Sequence, residues 1–339
     1  MTLKFMGLQM VWAAGQKLGD RYTIRDVLGR GRWSITYRAE DRLGQSVVIK
    51  AVNREAIAPS ELDRLQQVFV REAFKLAKCR HPYIVRAEEP FQADGVWCIP
   101  MEYIAGTTLA RRDRRVLPEA EAVKYVRQVG EALQVVHEHG LLHRDVTPAN
   151  IMLRIRNGES EAVLIDFGLA RDFDHDLTLT RTEEITPGFT PLELYSRNGE
   201  RGAYTDIYSL GATLYELMTG KVPPNADVRK LSNAPLVFPD SMSKPIRQAT
   251  KWAMELERKD RPQSVKEWLD SLGGAIASQS VYQVSSQPPL QKQRNIGEIG
   301  SLLGGIAAII AVIVTIVTLF KPSPNPTQTT PNPTQIRQP

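Results

Sequence analysis

Apolar and polar positions follow two regimes along the chain. Between residue 21 and about residue 103 they come in short runs, at 22–29 (YTIRDVLG), 34–41 (SITYRAED) and 45–52 (QSVVIKAV). Each run carries β-branched residues and ends in turn residues, which predicts strands. Over 60–80 the spacing changes. Leu62, Leu65, Val68, Phe69, Ala73 and Leu76 recur at three- and four-residue steps, predicting a helix with Ser60 as its cap. More strands are expected within 83–103. From Pro118 onward helical spacing dominates, at 118–139, 204–220, 243–257 and 262–272. The plan is α+β, with a small strand-rich lobe at about 21–103 and a larger helical lobe at about 104–272. No internal repeat is visible in it.

Beyond residue 272 the pattern breaks. A glutamine- and serine-containing linker at 273–298 leads into 299–320, IGSLLGGIAAIIAVIVTIVTLF, which has no charged residue. As a helix this run is about 33 Å long, enough to cross a bilayer core of ~30 Å. A buried core helix would have to pack inside a domain while flanked by that linker and by the Pro/Thr/Gln-rich tail at 321–339. The run therefore predicts a transmembrane helix in contact with the lipid bilayer. Pro-Asn-Pro-Thr-Gln occurs twice in the tail, at 324–328 and 331–335, and predicts an extended coil. Such a tail is too short for a folded sensor. Lys292 and Arg294 before the run and Lys321 and Arg337 after it do not fix its orientation. The N-terminal extension, 1–20, is a poor signal peptide. Its basic end is weak, and Gly7 and Gln9 interrupt its apolar stretch.

Composition narrows the class. Of 339 residues, 42% are hydrophobic and 24% charged. These values exclude a wholly disordered chain, a collagen and a multi-span membrane protein. A net charge of +5 is a mild bias and does not indicate nucleic-acid binding. The two cysteines, Cys79 and Cys98, form no CxxC pair. They suggest neither a zinc site nor a disulfide framework, and a reducing, cytosolic setting fits best.

The chemistry lies in a few short motifs. Leu28-Gly29-Arg30-Gly31-Arg32-Trp33-Ser34 sits between two predicted strands, where glycines let backbone N–H groups approach phosphates. Any tight turn can use a lone GxG. The strand Val47-Val48-Ile49-Lys50 ends in a lysine that alone would read as surface, and Glu72 on the next helix could pair with it. His143-Arg144-Asp145-Val146-Thr147-Pro148-Ala149-Asn150 follows, and then Val163-Leu164-Ile165-Asp166-Phe167-Gly168.

In this order and spacing, over about 250 residues, the set resembles the protein kinases. It looks most like bacterial members of the eukaryotic-like serine/threonine kinase family, several of which carry one transmembrane helix after the catalytic domain. The resemblance implies a bilobal kinase fold that uses ATP and Mg²⁺ and acts on protein Ser/Thr hydroxyls. Asp145 would be the catalytic base, and Asn150 and Asp166 the magnesium ligands. Lys50 would meet the α- and β-phosphates, held by Glu72. Leu28, Gly29, Gly31, Ser34 and Val48 would cover the nucleotide, with Met152 beneath the base. The base would lie against Met101, Glu102 and Ile104. His143 and Phe167 would stack with Leu76. Thr186–Glu193 (TPGFTPLE) resembles the end of an activation segment, with Arg261 as the partner of Glu193. Asp206 would brace the catalytic loop.

Three residues depart from the family pattern. Ser34 replaces the third loop glycine, and Val48 replaces the usual alanine above the base. Thr147 stands where serine/threonine kinases carry a lysine that meets the γ-phosphate; its loss removes a positive charge from the transition state. Thr147 motivates an alternative reading, a pseudokinase acting as a nucleotide-binding scaffold. Retention of Lys50, Glu72, Asp145, Asn150 and Asp166 favours the enzyme. The activation segment from Asp166 to Glu193 argues against a small-molecule kinase. Thr178, Thr180 and Thr182 are loop phosphorylation candidates, whereas Thr186 reads as a structural contact to the base. Arg111–Arg115 could attract acidic substrates or lipid headgroups, but reads more readily as one solvated helix face. A homodimer is a further expectation, as is placement in the cell inner membrane with the kinase domain cytoplasmic and the tail outside.

Overall fold

β-Branched runs near the N-terminus form an antiparallel sheet. Its strands are β1 (Lys17–Leu18), β2 (Tyr22–Arg30), β3 (Ser34–Asp41), β4 (Ser46–Val52), β5 (Phe91–Ala93) and β6 (Val96–Glu102), in the order β1-β2-β3-β4-β6-β5. The computed structural model describes residues 12–169, 185–196 and 199–273. Side-chain alternation along β3 turns Ile35, Tyr37 and Ala39 into the core. Helix α1 (Pro59–Leu76) has Leu65, Phe69, Ala73 and Leu76 fully buried in that core.

The start of α1 corrects the sequence expectation. Pro59 opens the helix behind Ala58, and Ser60 is already inside it. Proline is pre-organised for the first helical turn and lacks an N–H that would go unbonded there. The helix also stops at Leu76 instead of running to Arg80. The Cys79 amide bonds the Leu76 carbonyl in a tighter turn, and His81 precedes Pro82, a position biased away from helix. Trp12 lies upstream of any alternating run, yet it is 1% exposed. Its indole N–H donates to Asp94 Oδ2 at 2.8 Å, and its ring sits 5.5 Å from that of Tyr37.

The second half is helical around a small sheet of β7 (Thr107–Thr108), β8 (Ile151–Arg156) and β9 (Glu159–Leu164). Its helices are α2 (Glu119–Glu138), α3 (Ala203–Thr219), α4 (Ala226–Ser232) and α5 (Lys244–Ala253), with a further helix at 265–273. α3 is buried nearly all round, as a central helix must be to satisfy its many apolar residues. Gly211 makes this approach possible, because a Cβ there would lie 2.6 Å from the Ala253 Cβ of α5. Helix α4 escaped the sequence reading because seven residues hold too little periodicity. α5 ends at Ala253, short of the expected 257, and a short 3-10 turn follows at Arg258–Asp260.

Backbone bonds tie the two halves together where the site forms. The Val85 amide donates to the Leu164 carbonyl at 3.0 Å, and the Leu164 amide to the Tyr83 carbonyl at 2.9 Å. No helix among the described residues is long and apolar enough to cross a membrane. The expected span at 299–320 lies outside the described residues.

Candidate active site

Asp206 lies in the first turn of α3 and is completely buried. Its Oδ2 accepts the His143 amide at 2.9 Å and its Oδ1 accepts the Arg144 amide at 2.6 Å. Oδ2 also lies 2.8 Å from His137 Nε2. Burial works to raise the pKa of this carboxyl, but the hydrogen bond and charge of His137, together with the hydrogen bond from the His143 amide, hold it below the ordinary aspartate value. Its place at a helix N-terminus also favours the anion. Arg144 adopts φ 65°, a left-handed conformation that costs a non-glycine residue about 1–3 kcal/mol. One carboxylate gripping two successive amides is what keeps that turn in place.

The next residues inherit this geometry. His143 is fully buried; its Nε2 faces the Ile165 carbonyl at 2.8 Å and its Nδ1 faces the Asp145 amide at 3.3 Å. A carbonyl can only accept and an amide N–H can only donate, so the ring is neutral with its proton on Nε2. Burial pushes the pKa of His143 down. The ring lies 4.8 Å from that of Phe167, which is itself buried.

Asp145 has both carboxylate oxygens engaged. Oδ2 accepts from Asn150 Nδ2 at 2.9 Å, and Oδ1 accepts from the Thr186 hydroxyl at 2.8 Å. The sequence reading gave the hydroxyl contact to Thr186, and that contact is present. Thr147 is buried, and its carbonyl accepts the Asn150 amide at 3.0 Å. Asn150 Nδ2 donates to the Asp145 carbonyl as well, at 2.9 Å. Two acceptors around Nδ2 fix the amide orientation, which leaves Oδ1 as a hard oxygen donor. The Asn150 carbonyl accepts the Ile165 amide at 2.9 Å, so this one residue joins Asp145 to the segment carrying Asp166.

Lys50 pairs differently from expectation. Its ammonium bonds the Asp166 carboxylate and, at 2.9 Å, the Phe167 carbonyl. Glu72 is buried on α1 and is not the partner of Lys50. Asp166 takes φ 56°, and its side chain remains about half exposed.

Between the sheet and β8 lies a cleft of about 500 Å³. Leu28, Gly29 and Val48 line it from the sheet, Met101, Glu102 and Ile104 from the linker after β6, and Met152 from β8. Lys50 and Asp166 line it too, whereas Gly31 and Ser34 are not among its lining residues. Sequence reasoning missed Thr36, Val85, Ile165 and Arg111. Thr36 was findable, since it pairs with Lys50 across β3 and β4 and so shares its face. Gly106 is required where the linker enters β7, because a Cβ there would lie 2.0 Å from the Leu153 carbonyl oxygen.

The arginine run is not a solvated helix face. Only Leu109–Arg111 forms a short 3-10 turn. Arg112 bonds the Leu109 carbonyl and Glu216, and Arg115 bonds the Gly220 carbonyl, so both tie this segment to the end of α3. At the other end of α3, Glu193 and Arg261 form a buried bidentate pair at 2.8 and 3.0 Å. The remaining Arg261 donors reach the carbonyls of Tyr204, Glu255 and Leu256. This is the pairing the sequence suggested.

Residues 22–271 match the family model of the protein kinase domain. The chain belongs to the protein kinase family. A probable serine/threonine-protein kinase of Streptomyces coelicolor is 36% identical over 243 residues, covering 66% of this chain and 35% of that protein. The serine/threonine-protein kinase PknB of Mycobacterium leprae is 35% identical, over 61% of this chain and 33% of that protein. The chain thus matches about a third of the length of these relatives. Among solved structures, the apo form of PpkA-294 aligns with a TM-score of 0.64 at 26% identity, over 77% of this chain and 99% of that one. The kinase fold is therefore shown, with a β-rich N-lobe and a helical C-lobe.

The neutral state of His143 gives this kinase a pH signature. Its folded pKa lies below the unfolded value of about 6.5, so its contribution to stability is complete above that pH. The contribution is lost as pH falls through 6.5 toward the folded pKa, with a slope of up to about 1.4 kcal/mol per pH unit. Urea unfolding from pH 8 to 5.5 should show a shallower pH dependence for His143→Gln than for wild type. Equal slopes would contradict the neutral, buried imidazole.

Proposed function

We propose that this protein is a membrane-anchored serine/threonine protein kinase that transfers the γ-phosphoryl group of ATP to protein hydroxyls and phosphorylates its own activation loop. The observation that carries the reading is the clamp on Asp145. Asn150 and Thr186 hold its two oxygens, and Asn150 links it to the Asp166 segment at the cleft. Asp145 orients the substrate hydroxyl and takes its proton. Lys50, already in the cleft beside Asp166, supplies the positive charge for the α- and β-phosphates. Asn150 Oδ1 and the Asp166 carboxylate are hard oxygen donors that fit Mg²⁺. The ion, when bound, neutralises charge on the phosphates. The linker from Met101 to Ile104 receives the base, beneath Leu28 and Val48 and above Met152.

Thr147 keeps the pseudokinase reading in play, because no positive charge stands where the family carries lysine. Steady-state kinetics decides between the two. Asp145→Asn should lower kcat by roughly 10²–10⁴-fold. Thr147→Lys should change kcat by less than about tenfold, or ~1.4 kcal/mol, because the base and metal donors are all retained. A wild-type rate no higher than that of Asp145→Asn, restored by Thr147→Lys, would make this chain a pseudokinase.

The apolar run at 299–320 supports anchoring in the inner membrane. The catalytic domain then faces the cytoplasm, where ATP and Mg²⁺ are abundant, and the proline-rich tail lies outside. Protease added to intact spheroplasts should spare the kinase domain and trim only the tail; digestion of the domain from outside would reverse the topology.

A further inference from the structure

One charged residue of the cleft has no partner among the described residues. Four charged residues line it: Lys50, Glu102, Arg111 and Asp166. Lys50 and Asp166 neutralise each other. Glu102 is engaged from outside, by the Arg86 amide at 2.9 Å and by Arg154 at 3.7 Å. Arg111 remains. Arg112 and Arg115 are tied to the end of α3, and Arg114 bonds Glu121 at 2.6 Å. Arg111 is exposed and has neither a hydrogen bond nor an ion pair among the described residues.

Its position says what it faces. The 3-10 turn Leu109–Arg111 follows the linker and packs against the turn Pro148–Asn150, which carries Asn150. A nucleotide with its base on the linker and its phosphates at Lys50, Asn150 and Asp166 must run its ribose between these two anchors. Arg111 therefore stands at the ribose. A guanidinium there can donate to ribose hydroxyls, but its fork geometry and permanent charge match a phosphate better.

We propose that Arg111 is an anion contact at the ribose end of the cleft, so that the site prefers adenine nucleotides carrying a phosphate on the ribose 2′- or 3′-oxygen over the parent nucleotide. Such compounds would compete with ATP. The inference rests on the nucleotide-binding reading of the cleft and adds a specificity residue and a ligand class to it. Because Arg111 is exposed, the gain is modest, about three- to tenfold in affinity, and shrinks with added salt.

The test is displacement of a fluorescent ATP analogue from the full chain by ATP, AMP, adenosine 2′,5′-bisphosphate and adenosine 3′,5′-bisphosphate. At least one bisphosphate should bind about three- to tenfold more tightly than AMP. The ratio should fall to about one in Arg111→Ala and below one in Arg111→Glu, while Arg114→Ala retains it. AMP with added inorganic phosphate should not reproduce the gain. Equal affinities in wild type, a preference that survives Arg111→Glu, or a gain reproduced by free phosphate would each overturn the proposal. If ATP itself fails to displace the analogue, the nucleotide reading falls and takes this inference with it. Displacement by ATP without any ribose-phosphate preference would sink the inference alone.

Discussion

One buried carboxylate organises the site. Asp206 gives up its hydration to accept two adjacent backbone amides, those of His143 and Arg144. An isolated buried anion would be costly, but hydrogen bonds to the charged form and the His137 contact offset the loss of water. The result is a left-handed turn at Arg144 that the chain would not hold unaided. His143 is driven inward against Phe167 and Asp145 is turned to meet Asn150 and Thr186. Every distance in the site that involves Asp145 depends on that turn.

The carboxylate can serve this role because α3 is packed into the core on nearly every side. The helix is buried nearly all round, joined to α5 by the close approach at Gly211, and braced by charged groups at both ends. Near its start, Arg261 holds Glu193, whose Oε1 also accepts the Thr205 hydroxyl at 3.1 Å. Near its end, Arg112 and Arg115 clasp Glu216 and the Gly220 carbonyl. A buried pair such as Glu193–Arg261 is a weak guarantee of stability in itself. Its geometric effect is clearer, since it fixes where the segment bearing Thr186 rejoins the helical core.

Much of this was legible in the sequence, and the limits follow from range. Strands and helices long enough to show a period, such as β3 and α2, lie where alternation placed them. Asp145 and Asn150 were legible together because they share one contiguous motif, and Asp166 stood in a second motif that follows β9. The Glu193–Arg261 pair was legible only because both residues sat in ordered motifs. The rest is decided by tertiary packing. Lys50 bonds the Asp166 carboxylate and the Phe167 carbonyl, 116 and 117 residues away along the chain. Trp12 finds Asp94 across 82 residues, with no local pattern announcing it. Arg111 looked like its neighbours until Arg112, Arg114 and Arg115 found their separate partners.

The claim that Asp206 holds the catalytic turn is open to a direct measurement, amide hydrogen exchange in wild type and Asp206→Asn. In the wild type, the His143 and Arg144 amides should exchange as slowly as those in the centre of α3. Asparagine keeps the shape but loses the charge, and its NH₂ faces an N–H. Hydrogen bonds to a charged group contribute about 1.5–3 kcal/mol, so protection at these two amides should drop by about ten- to a hundredfold. The amides of Leu210 and Leu214 should stay protected while phosphoryl transfer falls. Unchanged protection at His143 and Arg144, together with an unchanged rate, would show that the turn holds without Asp206.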